Sequence, residues 1–124
     1  MKIVFANNNL TEMARIGFTD DMYEIYINTD DPGNIPHFHY RKANEWDKFH
    51  TCIKIATAEY FHHTGKEDVL NSKQRKELVK FLSSKHETIE NLTNYQYVIA
   101  SWNSNNSSKK IPLDTEMPDY LNLR

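Results

Sequence analysis

Two histidines two residues apart, His37 and His39 in the stretch HFHYRK, are the side chains best placed to do chemistry in this chain. On a strand they share one side, about 7 Å apart along the chain, a gap that a metal ion bridges after small rotations. A third ligand from His50, Cys52 or Glu24 completes a site that keeps one position open for water. Mixed nitrogen and sulfur ligation points to zinc. The rival chemistry is metal-free cleavage of RNA, with His37 or His39 exchanging protons near neutral pH and Arg41 and Lys54 steadying phosphate charge. A third use is recognition, through Tyr26, His37, His39 and Arg41 on one sheet side and His62 from a nearby loop. The plainer reading of all these residues is structural: histidines beside Phe and Tyr serve as half-buried hydrogen-bonding groups, and Cys52 as a small buried side chain.

Whether such residues meet depends on the elements that carry them. KIVFA (2–6) is a short β-type run ending at Asn7-Asn8-Asn9. MARIGF (13–18) and MYEIYIN (22–28) flank a polar TDD and read as a hairpin. TDDPGN is a loop by its Pro32-Gly33 turn chemistry, and Pro36 sets the entry to an edge strand. HFHYRK (37–42) and HTCIKIA (50–56) make a second strand pair around ANEWDKF. The second half changes period. NSKQRKELVKFLSSK (71–85) opens on Asn71 as a cap with Gln74 three residues on, and Leu78, Phe81 and Leu82 form its apolar stripe. LTNYQYVIASWNSN (92–105) carries a Thr93–Gln96 capping box, a Leu92–Tyr97 staple and a Tyr95, Val98, Ile99, Trp102 stripe. Residues 106–124, with two prolines, are expected to run extended and partly docked. Strands followed by helices predict an α+β fold: a small, mostly antiparallel sheet of four to five strands, with two helices packed on one face.

Alternation then assigns the sides. Tyr23, Ile25 and Ile27, Phe38 and Tyr40, and Ile53 and Ile55 turn toward the helices. The opposite side, expected to lie open, receives Glu24, Tyr26, His37, His39, Arg41, His50, Cys52 and Lys54. Only the strand period and one buried side are needed to gather the candidate ligands there. His62-His63-Thr64 resembles the His-x-Thr of two-histidine phosphoesterases, but its plainer reading is a polar loop turning at Gly65. His62 remains a further ligand within reach of the sheet.

Composition narrows the classes. The 124 residues are expected to form one domain, and six Phe, seven Tyr and two Trp supply its core. A single cysteine excludes an intrachain disulfide and fits a reducing compartment. Fifteen Lys and Arg against seventeen Asp and Glu give a formal charge of −2, without the basic excess of a phosphate-backbone binder. Nucleic acid is therefore not the favoured partner. No run reaches the roughly 20 apolar residues of a membrane span, and the N-terminus has no secretory apolar region, so cytoplasmic residence is the expectation. There is no phosphate-cradling glycine loop, no Cys-x-x-Cys and no Gly-x-Ser-x-Gly.

The run MYEIYIN…DDPGNIPHFHY…CIKIATAEYF, a helix, and then NYQYVIASWNSNN resembles a family of small bacterial domains of unknown function marked by Pro-Pro-His-[Phe/Val]-His. The resemblance covers residues 13 to 105. Pro36, His37, Phe38 and His39 match the motif, Ile35 replaces its first proline, and Trp102-Asn103 matches a pair in the last helix. It implies a small sheet followed by helices, and a gene often set in toxin–antitoxin-like pairs or on mobile elements. It carries no established reaction. The expected function is a non-enzymatic interaction or regulatory module that binds a partner protein and needs no cofactor. The alternative is a ribonuclease-like toxin or a zinc-binding protein that uses the histidine-rich face.

Overall fold

Alternation of apolar and polar residues along four short strands builds one antiparallel meander, β1 (Met13–Phe18), β2 (Tyr23–Asn28), β3 (His37–Lys42) and β4 (His50–Lys54), in spatial order 1-2-3-4. The computed structural model describes residues 13–28, 35–45, 47–61, 68–89, 91–106 and 109–124. The expected strand at 2–6, the Pro32-Gly33 loop and His62-His63 lie outside the described residues. Ile25, Ile27, Phe38, Tyr40, Ile53 and Ile55 are fully buried in one core with the apolar faces of both helices. The α+β architecture is the one expected. Among the described residues no helix is long and apolar enough to cross a membrane.

Both helices start where side chains can satisfy their orphan amides. In α1 (Ser72–Ser83), Asn71 accepts from the Gln74 amide at 2.8 Å and Gln74 accepts from the Asn71 amide at 2.8 Å. In α2 (Asn94–Asn105), Thr93 and Gln96 make the same reciprocal pair at 3.1 and 2.9 Å. Each cap contributes about 1 kcal/mol. The α2 stripe of Tyr95, Val98, Ile99 and Trp102 is buried as its spacing predicts. On α1, Leu78 and Leu82 are fully buried, while Phe81 is only partly so.

Phe81 has a different task. Between Arg15, opposite Tyr26, and Gly17, opposite Ile25, β1 carries an extra residue, Ile16. At this bulge the backbone of Gly17 has φ +157°, and a Cβ built there would lie 2.9 Å from Phe81 Cζ. Gly17→Ala is expected to destabilise the fold by about 1–3 kcal/mol through overpacking and backbone strain. In a Phe81→Ala background the penalty shrinks, because the clash is gone. A double-mutant cycle in urea tests this; an unchanged penalty would put the whole effect in the backbone.

The connection between the helices is pinned by His86. Its Nδ1 accepts from the amides of Thr88 (3.2 Å) and Ile89 (3.3 Å), and its ring packs on Tyr97 at 4.1 Å. Burial pushes its pKa below the usual value. The folded state thus favours neutral imidazole. The stability that follows is present above the unfolded value of about 6.5 and is lost as pH falls below it. Expected: the melting-temperature gap between wild type and His86→Gln narrows from pH 7.5 to pH 5. A constant gap would contradict this.

The C-terminal tail is docked more firmly than expected. Ile111, Tyr120 and Leu123 are buried, and a 3-10 turn at Tyr120–Asn122 presents Tyr120 to the core. The Tyr120 hydroxyl donates to the Ile55 carbonyl at 2.6 Å. Hydrogen bonds from Tyr60 N to Arg124 O and from Arg124 N to Ala58 O tie the last residue beside the strand-like return at 58–61.

Candidate metal centre

Register, not proximity in sequence, assembles the site. Tyr26 pairs with His39 and His39 with Cys52, so these three form one row across β2, β3 and β4. Glu24, Arg41 and His50 form the next row, and His37 pairs with Lys54. All lie on the side opposite the apolar core positions, as alternation requires. One ligand atom from each of His37, His39 and Cys52 lies within 4.8 Å of the other two.

Around these three, hydrogen bonds orient the rings. The Nδ1–H of His37 donates to the Ile35 carbonyl at 2.7 Å, an acceptor that fixes the tautomer and makes Nε2 the ligand atom. His39 Nδ1 lies 3.1 Å from His50 Nε2 and 3.4 Å from Cys52 Sγ. The Tyr26 hydroxyl lies 3.4 Å from the same His50 nitrogen, and its ring stacks on His39 at 4.7 Å. Burial pushes the Tyr26 pKa up to about 12, so the hydroxyl keeps its proton. Arg41 sits over the Tyr26 ring, 4.3 Å from its centroid. The phenol ring of Tyr26 thus touches both the guanidinium and the imidazole.

This face is covered, where the sequence predicts an open one. His37 is 1% exposed, His39 3%, Cys52 0%, Tyr26 6% and Glu24 3%. Part of the cover follows β4: Lys54 N bonds to Glu59 O, Phe61 N to Cys52 O, and Tyr60 pairs with Ile53. That return lays the Phe61 ring 4.6 Å from His37. Trp102, expected only as a core residue of α2, brings its ring to 5.5 Å from His37. Phe61, Trp102 and the Ile35 carbonyl are therefore site residues that sequence reasoning missed. The aromatic pair Tyr60-Phe61 after the small Ala56-Thr57-Ala58 turn was the available signal for the first; the other two depend on tertiary placement.

The remaining candidates take other roles. Glu24 reaches the face, but its carboxylate accepts from Arg15 Nε at 2.6 Å and Arg41 Nε at 2.9 Å. Two charge-assisted bonds make its burial tolerable and make it a counter-charge instead of a ligand. Arg41 is thereby engaged, and Lys54 is engaged by Glu59 at 3.2 Å. His50 is half-buried and touches His39 without joining the compact trio. His62 lies outside the described residues.

The trio fits a borderline divalent cation. Zn–N bonds of about 2.0 Å and Zn–S of about 2.3 Å set tetrahedral ligand atoms about 3.3 to 3.6 Å apart. Closing the trio to that spacing takes side-chain movements of about 1 Å, within rotamer freedom. Two neutral imidazoles and a thiolate are the donor set that zinc-class ions prefer. No family model matches this chain, and no curated protein or solved structure matches it.

Proposed function

We propose that this chain is a metal-binding protein that holds a zinc-class divalent cation through His37, His39 and Cys52. The single observation that carries the reading is the convergence of these three buried ligand atoms from two adjacent strands within 4.8 Å. Support comes from the His37 tautomer, which the Ile35 carbonyl orients as outer partners orient ligating histidines elsewhere. The test is elemental analysis of protein purified without chelator and then dialysed against zinc. One equivalent bound by wild type, and less than a tenth of that in a His37→Ala, Cys52→Ala double variant, is expected. Equal metal content in both would overturn the reading.

A small regulatory module that binds a partner protein, the expectation from composition and resemblance, has one structural support. Phe18 and Met22 stay exposed at the β1–β2 turn, lining a shallow hollow with Arg15 and Arg41. Such a module is compatible with a buried metal, and native mass spectrometry of the complex from its host would reveal a specific partner chain. Acid–base cleavage of RNA draws no support from the geometry. His37 and His39 are buried, and the two cations meant for phosphate already face carboxylates.

A further inference from the structure

The bulge in β1 does more than interrupt a ladder. Beside it, between the sheet edge and the connection from α1 to α2, lies a hollow of about 530 Å³ that shares no residue with the His37–His39–Cys52 trio. That volume falls within the range of about 300–1,000 Å³ typical of small-molecule sites. We infer that this hollow is a binding site for a small planar aromatic acid, separate from the metal-binding reading above.

Three observations carry it. The first is how the space arises. The extra residue Ile16 bends β1, and Gly17 contributes backbone alone to the wall. Phe81 from α1 lies against that backbone, Tyr97 comes from α2, and Phe18 borders the hollow from β1. Rings from three elements suit a flat apolar body that stacks on them.

Second, the floor is buried and carries polar groups in fixed positions. Ile16 is 5% exposed, and Tyr97 and Asn94 are each 6% exposed, although all three line the hollow. The Asn94 amide is oriented by its Nδ2–H, which donates to the Phe81 carbonyl at 2.9 Å. His86 accepts two backbone amides on Nδ1, so its ring carries the proton on Nε2 and is a neutral donor in the wall. A few fixed polar groups in an aromatic cleft set the orientation of one ligand.

Third, the rim is basic on an acidic chain. Arg15 and Lys85 are exposed there against one carboxylate, Glu87, while the chain as a whole has a formal charge of −2. Arg15 is held in place by its 2.6 Å bond to Glu24 and lies over Phe18, 4.9 Å from the ring centroid. Glu24 is shared with Arg41, so that unit keeps an excess positive charge. An acid group at the rim and a ring on the floor match this distribution.

Calorimetric titration of the full chain with 2-naphthoate and indole-3-carboxylate, against the neutral 2-naphthamide, tests the site. Expected: at least one acid binds at one equivalent and shifts the backbone amide resonances of Gly17 and Asn94. The amide binds about tenfold more weakly than 2-naphthoate, as loss of a charge-assisted hydrogen bond predicts. Lys85→Gln changes an exposed side chain, so the fold is kept. It weakens acid binding about two- to fivefold and leaves 2-naphthamide unchanged. Saturable binding by neither acid, or resonance shifts elsewhere in the chain, would overturn the inference. Equal affinity for acid and amide, or a Lys85→Gln protein that binds the acid as tightly as wild type, would overturn it too.

Discussion

Zinc at roughly a hundred times its dissociation constant is expected to stabilise the fold by about 2.7 kcal/mol, because it binds the native arrangement and not the unfolded chain. For a domain of this size that raises the melting temperature by about 10 °C. Cys52→Ala is the decisive variant. Cys52 is fully buried, and its replacement removes one sulfur from the interior at a cost of about 1 kcal/mol in the metal-free protein. The zinc shift, by contrast, should vanish. His37→Ala should also lose it, with a larger metal-free penalty, since the ring fills the space between Phe61, His39 and Trp102. Scanning calorimetry with and without chelator reads both quantities in one experiment. A Cys52→Ala protein that keeps the full shift would place the ion elsewhere.

Tyr120→Ala is expected to destabilise the fold by about 3–5 kcal/mol, a large share of the 5–15 kcal/mol available to a typical domain. The ring is fully buried, edge-on to Phe38 at 5.9 Å and to Tyr95 at 6.4 Å. Its hydroxyl bond is the smaller part. The Ile55 carbonyl also accepts from Tyr95 at 2.9 Å, so Tyr120→Phe leaves that acceptor satisfied and should cost only about 1 kcal/mol. Urea melts of the two variants test the division. Equal losses would mean that the hydroxyl, not the ring, anchors the tail.

Much of this architecture is legible in local pattern. The period-two positions Tyr23-Ile25-Ile27, Phe38-Tyr40 and Ile53-Ile55 turn inward, and the two capping boxes form at Asn71–Gln74 and Thr93–Gln96. The same alternation brings His37, His39, Cys52 and His50 to one side of the sheet. What local pattern does not carry is the environment of that side. Its burial depends on Phe61 returning along β4 and on Trp102 from α2, 65 positions beyond His37. The pairing of Glu24 with both Arg15 and Arg41 depends on register across three strands, which places a carboxylate that looks like a ligand between two guanidinium groups. The lone glycine in MARIGF is a local signal for the bulge, but the close approach of Phe81 to Gly17 comes from far along the chain and has no local signal.

The strand-like return at 58–61, held in turn by Arg124, has a consequence for behaviour at high concentration. Unsatisfied amides along a sheet's rim invite templated growth from one molecule to the next, the first step toward fibrils. Here the rim of β4 is already occupied by the chain's own backbone, and the irregular β1 makes a poor template at the opposite rim. Among the described residues, a small sheet rich in aromatic side chains thereby offers a poor template for such growth.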